Sequence, residues 1–174
     1  MIVFATDEHR VITERGKCMN DEKFMKVAIE KARYGVQNGQ SPFGACIVKN
    51  GEVISSGSNT VWKDGDITAH AEINVIRKAC KKLNSVDLSE CIVYSTCEPC
   101  PMCFAACYWA RISKIAYGAC IDDARRFGFG EMFISNEQMR SLCKSKIEIK
   151  GDLLRDECIK VFKKWALKKD RKTY

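Results

Sequence analysis

The sequence predicts an α/β domain in which a mixed sheet carries helices on both faces. Two patterns predict it. Apolar residues switch between a period near two and a period near 3.6, in the order hairpin, helix, strand, helix, strand. The connections between these runs are short, and at 174 residues and 19.7 kDa the chain is the size of one ordinary domain.

Each element follows from its residues. Asn20, followed by Glu22, Phe24, Val27, Ala28, Ala32 and Tyr34, predicts an N-capped amphipathic helix ending near Asn38-Gly39. Residues 43–49 and 52–55 flank Asn50-Gly51, a strong hairpin signal because both turn positions favour positive φ. Thr68 is placed to cap a helix from about His70 to Leu83, with Ile73, Ile76, Cys80 and Leu83 along one side. Residues 91–96 read as a buried strand, and Pro101 suits the first turn of a helix reaching Ala110. Residues 112–119 read as a third buried strand. Leu154, Cys158, Val161, Phe162 and Trp165 recur at helical spacing near the end. No repeat, low-complexity run or linker divides the chain, so residues 20–174 read as one domain behind an extension at 1–19.

Composition excludes several classes. Hydrophobic residues at 46% and charged residues at 29% are globular values. The stretch 97–110, uncharged apart from Glu98, is too short and too cysteine-rich to cross a bilayer, and the first twenty residues lack the apolar run of a secretory signal. A cytoplasmic protein is expected. The net charge of +7 is concentrated at the end, where residues 150–174 hold nine Lys/Arg against four Asp/Glu. A solvated helix face explains such a run more simply than a nucleic-acid stripe.

Eleven cysteines, an odd number, cannot all pair, and a chain this size needs no disulfide staples. Cys18, Cys46, Cys80, Cys91, Cys120, Cys143 and Cys158 are scattered among apolar residues and read as small buried hydrophobes. Cys97, Cys100, Cys103 and Cys107 fall within eleven residues and need a different explanation. Phosphate loops, dinucleotide fingerprints, nucleophile elbows and HExxH are absent. What remains is Thr-Ala-His-Ala-Glu at 68–72 and Cys-Glu-Pro-Cys-Pro-Met-Cys at 97–103, each at a predicted helix start. Imidazole and thiolate are preferred zinc ligands, and three of them leave a fourth position open. Helix N-termini favour thiolate over thiol. One zinc ion held by His70, Cys100 and Cys103, with Glu72 beside it as acid and base, is chemically sensible. The same four cysteines also match the spacing of a ferredoxin cluster, although Tyr108 stands where that pattern has proline. A structural zinc or iron–sulfur protein is therefore the non-enzyme alternative.

HxE with a downstream PCxxC is the signature of zinc nucleobase deaminases. Together with Pro42-Phe43-Gly44, Asn59 and Tyr108-Trp109-Ala110-Arg111, it makes the chain resemble the cytidine deaminase-like superfamily. Cys97 before Glu98-Pro99, the stretch 127–133 and the terminal Tyr174 narrow the resemblance to small bacterial guanine deaminases. That resemblance implies a three-layer αβα sandwich, a homodimer with C-terminal segments often exchanged, and hydrolysis of guanine to xanthine and ammonia. It implies that His70, Cys100 and Cys103 hold zinc and that Glu72 shuttles protons. Asn59 would bond the purine, with Phe43, Ala71 and Trp109 around it, Glu131 on its N–H groups and Tyr174 closing the pocket. Some guanine deaminases carry aspartate at the position of Glu131. A tRNA adenosine deaminase and a nucleoside or cytosine deaminase are the rival enzymes, and tRNA the rival partner.

Overall fold

A computed structural model describes the backbone of residues 7–174 and the side chains from residue 21 onward. Its twelve elements run α1 (Asp7–Gln37), β1 (Gly44–Lys49), β2 (Glu52–Ser58), α2 (Val61–Asp64), α3 (Ala71–Leu83), β3 (Cys91–Cys97), α4 (Pro101–Trp109), β4 (Lys114–Ala119), α5 (Ile121–Arg126), α6 (Asn136–Leu142), β5 (Glu148–Lys150) and α7 (Arg155–Ala166). The sheet order is β2-β1-β3-β4-β5. β1 pairs antiparallel with both β2 and β3, whereas β4 is parallel to β3 and β5 to β4. The sheet is mixed, as the sequence predicts.

Two glycines show how tightly one helical layer sits. A Cβ on Gly44 would lie 2.3 Å from the Ala28 carbonyl oxygen of α1, and one on Gly118 would lie 2.3 Å from Cys158 Sγ of α7. α1 and α7 therefore cover one face at close approach. Gly57 instead faces Val75 and Asn74 of α3. Gly57 pairs with Ala45, the neighbour of Gly44, so successive residues of β1 look to opposite faces. The result is three layers, with α1 and α7 on one side and α3 and α4 on the other. At the hairpin, Asn50 and Gly51 have φ of 51° and 78°, the conformation that a tight two-residue turn requires.

Several expected boundaries move. The helix predicted from Asn20 is continuous from Asp7, so position 20 lies inside α1 and starts nothing. Residues 1–6 and the side chain of Cys18 lie outside the described residues. Thr68 does not cap α3. Its hydroxyl donates to Asp66 Oδ1 at 2.6 Å, and His70 takes the N-cap position. α5, α6 and the three-residue β5 have no strong periodicity, which is why no element was expected there. Cys143 is exposed rather than buried, and none of the ten described cysteines forms a disulfide. No helix among the described residues is long and apolar enough to cross a membrane.

A buried ionic cluster ties α1 to the sheet. Asp21 accepts hydrogen bonds from Tyr94 of β3 at 2.6 Å and Lys114 of β4 at 3.3 Å. Lys150 of β5 donates to the same carboxylate at 2.9 Å. Burial would raise the Asp21 carboxyl, but Tyr94, Lys150 and Lys114 outweigh it and hold the group below its ordinary 3.8.

Candidate active site

The site forms where two helices begin. β3 ends at Cys97, and the chain turns through Glu98-Pro99-Cys100 into α4, with Pro101 at its first position. Proline fits there because the first-turn N–H would be unpaired in any case. Cys100 is the N-cap of α4 and Cys103 lies one turn inside; His70 is the N-cap of α3 and Glu72 follows in its first turn. Two helix starts are thus aimed at one point.

His70 Nδ1 lies 3.6 Å from Cys100 Sγ and 3.5 Å from Cys103 Sγ, and the three donor atoms fall within 4.8 Å of one another. Zinc bonds of ~2.0–2.1 Å to nitrogen and ~2.3 Å to sulfur, set at a tetrahedral angle, give an N···S edge of ~3.6 Å. One nitrogen and two sulfurs at these separations fit a metal ion. Among the described residues they are the only such His/Cys/Asp/Glu cluster. Cys97 and Cys107 are buried, stand outside it, and have thiols pushed up by burial. Cys100 differs: hydrogen bonding from Cys103, and then from His70, brings its thiol down to about 4. The four-thiolate arrangement of an iron–sulfur cluster is not what the fold assembles.

Glu72 is buried. Its Oε1 accepts the Ser95 hydroxyl hydrogen bond at 2.7 Å, and Oε2 accepts from Cys103 Sγ at 3.5 Å. Burial raises its carboxyl above the ordinary range, against the lowering effect of His70 and Ser95. A carboxyl so placed suits a group that takes and returns a proton near neutral pH.

Phe43, Asn59, His70, Glu72, Cys97, Glu98, Cys100, Glu131 and Tyr174 enclose a cavity of about 10 Å³. That is scarcely room for one water. Tyr174 is what fills it. Its ring lies 5.4 Å from His70 and 5.9 Å from Phe129, its hydroxyl accepts from Asn59 Nδ2 at 2.6 Å, and its carbonyl accepts from the Gly130 N–H at 3.4 Å. Asn59 is itself oriented, because its Oδ1 accepts the Val61 N–H at 3.1 Å. Burial, then the Cys100 charge, pushes the Glu131 carboxyl up to about 7.

Eight of the ten residues singled out from the sequence meet here. Trp109 does not. It stands 79% exposed at the far end of α4, edge-on to Tyr108, outside the cavity. Six residues beyond Cys103 along a helix is ~9 Å, which carries it away from the His/Cys/Cys cluster of its own chain. Ala71 is buried between His70 and Glu72, but its methyl joins the apolar core instead of lining the cavity. Sequence reasoning missed Ser95 and the carboxylate of Glu98. The available signal was polarity inside a buried strand and beside it, since a buried polar group needs a partner.

Comparison with known proteins agrees with this geometry. The family model of the cytidine and deoxycytidylate deaminase zinc-binding region matches residues 19–119. A guanine deaminase of Bacillus subtilis (strain 168) is 50% identical over 120 residues, covering 68% of this chain and 77% of its own. A tRNA-specific adenosine deaminase of Buchnera aphidicola subsp. Schizaphis graminum is 35% identical over 146 residues, covering 83% and 93%. A solved guanine deaminase from Nitrosomonas europaea superposes with a TM-score of 0.78 at 29% identity, over 83% of this chain and 84% of that one. With its two helix starts converging on one nitrogen, two sulfurs and a carboxylate, the chain belongs to the cytidine and deoxycytidylate deaminase zinc-binding family and is a hydrolase of C–N bonds.

Proposed function

We propose that this enzyme hydrolyses guanine to xanthine and ammonia, using one zinc ion per chain. The observation that carries the substrate is Glu131, a second carboxylate facing the same enclosed cavity as Glu72 and the metal-binding cluster. Guanine presents an amino group and ring N–H groups that a carboxylate accepts; adenine does not offer that pattern. A site built around such bonds rejects an analogue lacking them by ~10⁴-fold or more. The 50% identity to a guanine deaminase supports the same reading.

His70, Cys100 and Cys103 would hold the zinc, which when bound lowers the pKa of a water to ~7. Glu72 takes a proton from the attacking water and delivers it to purine N3 as the C2–O bond forms. It then takes the proton of the new C2 hydroxyl and hands it to the amino group, so that C2=O forms as the C2–N bond breaks, one water is consumed and one ammonia is released. Ser95 keeps Glu72 aimed by donating to its other oxygen. Asn59 orients the base, Phe43 packs against its plane, and Tyr174 excludes water once it has closed again.

Trp109 enters this reading through a homodimer, in which the indole that is 79% exposed in one chain, with the exposed Tyr108 beside it, would pack against the other. Sedimentation should give twice 19.7 kDa. The tRNA-specific relative marks the competing substrate. An ammonia-release screen of guanine, guanosine, adenine, cytosine, cytidine and ammeline, run beside an inosine assay on tRNA, decides between them. Guanine should be fastest. Inosine in tRNA without xanthine from guanine would move the assignment to the RNA enzyme.

A further inference from the structure

The segment that brings Glu131 to the cavity has little regular structure of its own. Residues 127–135 form neither helix nor strand, and Gly128 turns with φ of 94°. A side chain that must read a purine edge cannot be left on a loose loop, because an error of about 1 Å costs on the order of 10²-fold. The loop therefore needs an anchor at each end.

One carboxylate anchors the two elements that flank it, at the start of α5 before the loop and at the start of α6 after it. Glu98 is buried just past the end of β3, between Cys97 and Pro99. Its Oε2 accepts the backbone N–H of Ile121, the first residue of α5, at 3.3 Å. Its Oε1 accepts the backbone N–H of Asn136, the first residue of α6, at 2.7 Å. The side chain of Asn136 returns the contact: its Nδ2 donates to the Pro99 carbonyl at 2.5 Å. The two ends of the 121–136 excursion are thus pinned to the short turn that also presents Cys100. Hydrogen bonds to an ionised acceptor are about twice as strong as neutral ones, and each backbone N–H occupies one of its oxygens.

We infer that Glu98 is a positioning residue for substrate recognition, acting through Glu131 by clamping both ends of the excursion that carries it. The inference rests on Glu131 being the carboxylate that reads the purine. It assigns specificity to a residue that lies beside the metal ligands and does not take part in proton transfer.

The test uses the full-length, zinc-loaded enzyme with Glu98→Gln and, independently, Asn136→Ala. Glutamine keeps one acceptor oxygen and sets an NH₂ against the second N–H, so one end of the clamp opens. Alanine at 136 removes only the Pro99 contact. Each should raise KM for guanine about tenfold with kcat within threefold and zinc content unchanged. The two-residue cycle is the decisive arm: in a Glu131→Gln background, Glu98→Gln should add less than twofold, because the group it positions has already lost its charge. Equal losses in both backgrounds, or zinc lost together with activity, would overturn the inference and leave Glu98 as a fold element only. Hydrogen exchange of residues 127–135 needs no substrate. Faster exchange in Glu98→Gln supports the clamp even if the wild type releases no ammonia from guanine, in which case the guanine reading alone fails; unchanged exchange overturns the clamp.

Discussion

The Tyr174 hydroxyl accepts a hydrogen bond from Asn59 Nδ2 at 2.6 Å, across 115 residues of chain. Asn59 is the group that would hold the purine, and its free donor is here occupied by the phenol that would close over it. Substrate must displace this contact before it can make its own. The cavity behind Tyr174, about 10 Å³, says the same in volume.

Removing the hydroxyl alone should therefore help entry. Tyr174→Phe keeps the ring over His70 and frees Asn59, so KM for guanine should fall several-fold with kcat little changed. Deleting residues 172–174 removes the ring as well. Turnover should then drop tenfold or more while zinc and Tm stay near wild type, because the buried side chains of α7 remain. Steady-state kinetics and a thermal melt measure both; full activity after truncation would take Tyr174 off the site.

Glu72→Gln separates the fold from the chemistry. Glutamine still accepts the Ser95 hydrogen bond that holds Oε1 at 2.7 Å, so zinc content and Tm should hardly move. The proton carrier is gone, and turnover should fall by at least ~10²-fold. Zinc lost along with activity would make Glu72 a support of the metal ligands instead.

The four clustered cysteines should divide by position. Cys100→Ser and Cys103→Ser should each strip most of the metal, read as zinc per chain by atomic emission. Cys97→Ala and Cys107→Ala should keep about one zinc and lose only packing, on the order of 1 kcal/mol each. Iron with sulfide in the wild type would contradict this division.

Asp21→Asn should cost roughly 1–3 kcal/mol at neutral pH, because it removes the buried carboxylate that Lys114 and Lys150 share and leaves Lys114 with the exposed Glu148 as its remaining anion. Asp21 is held below 3.8 when folded, so its contribution is present above that value and disappears as pH falls through the folded pKa. The gap in Tm between wild type and variant should be full at pH 7 and narrow below about pH 3.8.

The layers and the convergence of His70, Cys100 and Cys103 were legible because each rests on local rules: a hairpin dipeptide, a proline at a helix start, an N/S donor set. Trp109, expected beside the purine, stands outside the cavity of its own chain, because motif spacing says nothing of distance along a helix. Residues 135–155 yielded little because α6 and β5 are short and depend on partners far away in sequence, such as Glu98 and Lys114. Ser95 escaped notice for a related reason. Its partner Glu72 is supplied by another element, and only packing brings the two together.

Asp21 also bears on how the chain folds. Its three partners, Tyr94, Lys114 and Lys150, lie 73, 93 and 129 residues away. Contacts of such separation carry a large closure entropy and form only after β3, β4 and β5 are aligned. The cluster should be absent from the folding transition state. In stopped-flow experiments Asp21→Asn should refold at nearly the wild-type rate and express its loss almost wholly as faster unfolding. A carboxylate that arrives last is then what delays the first strand separation.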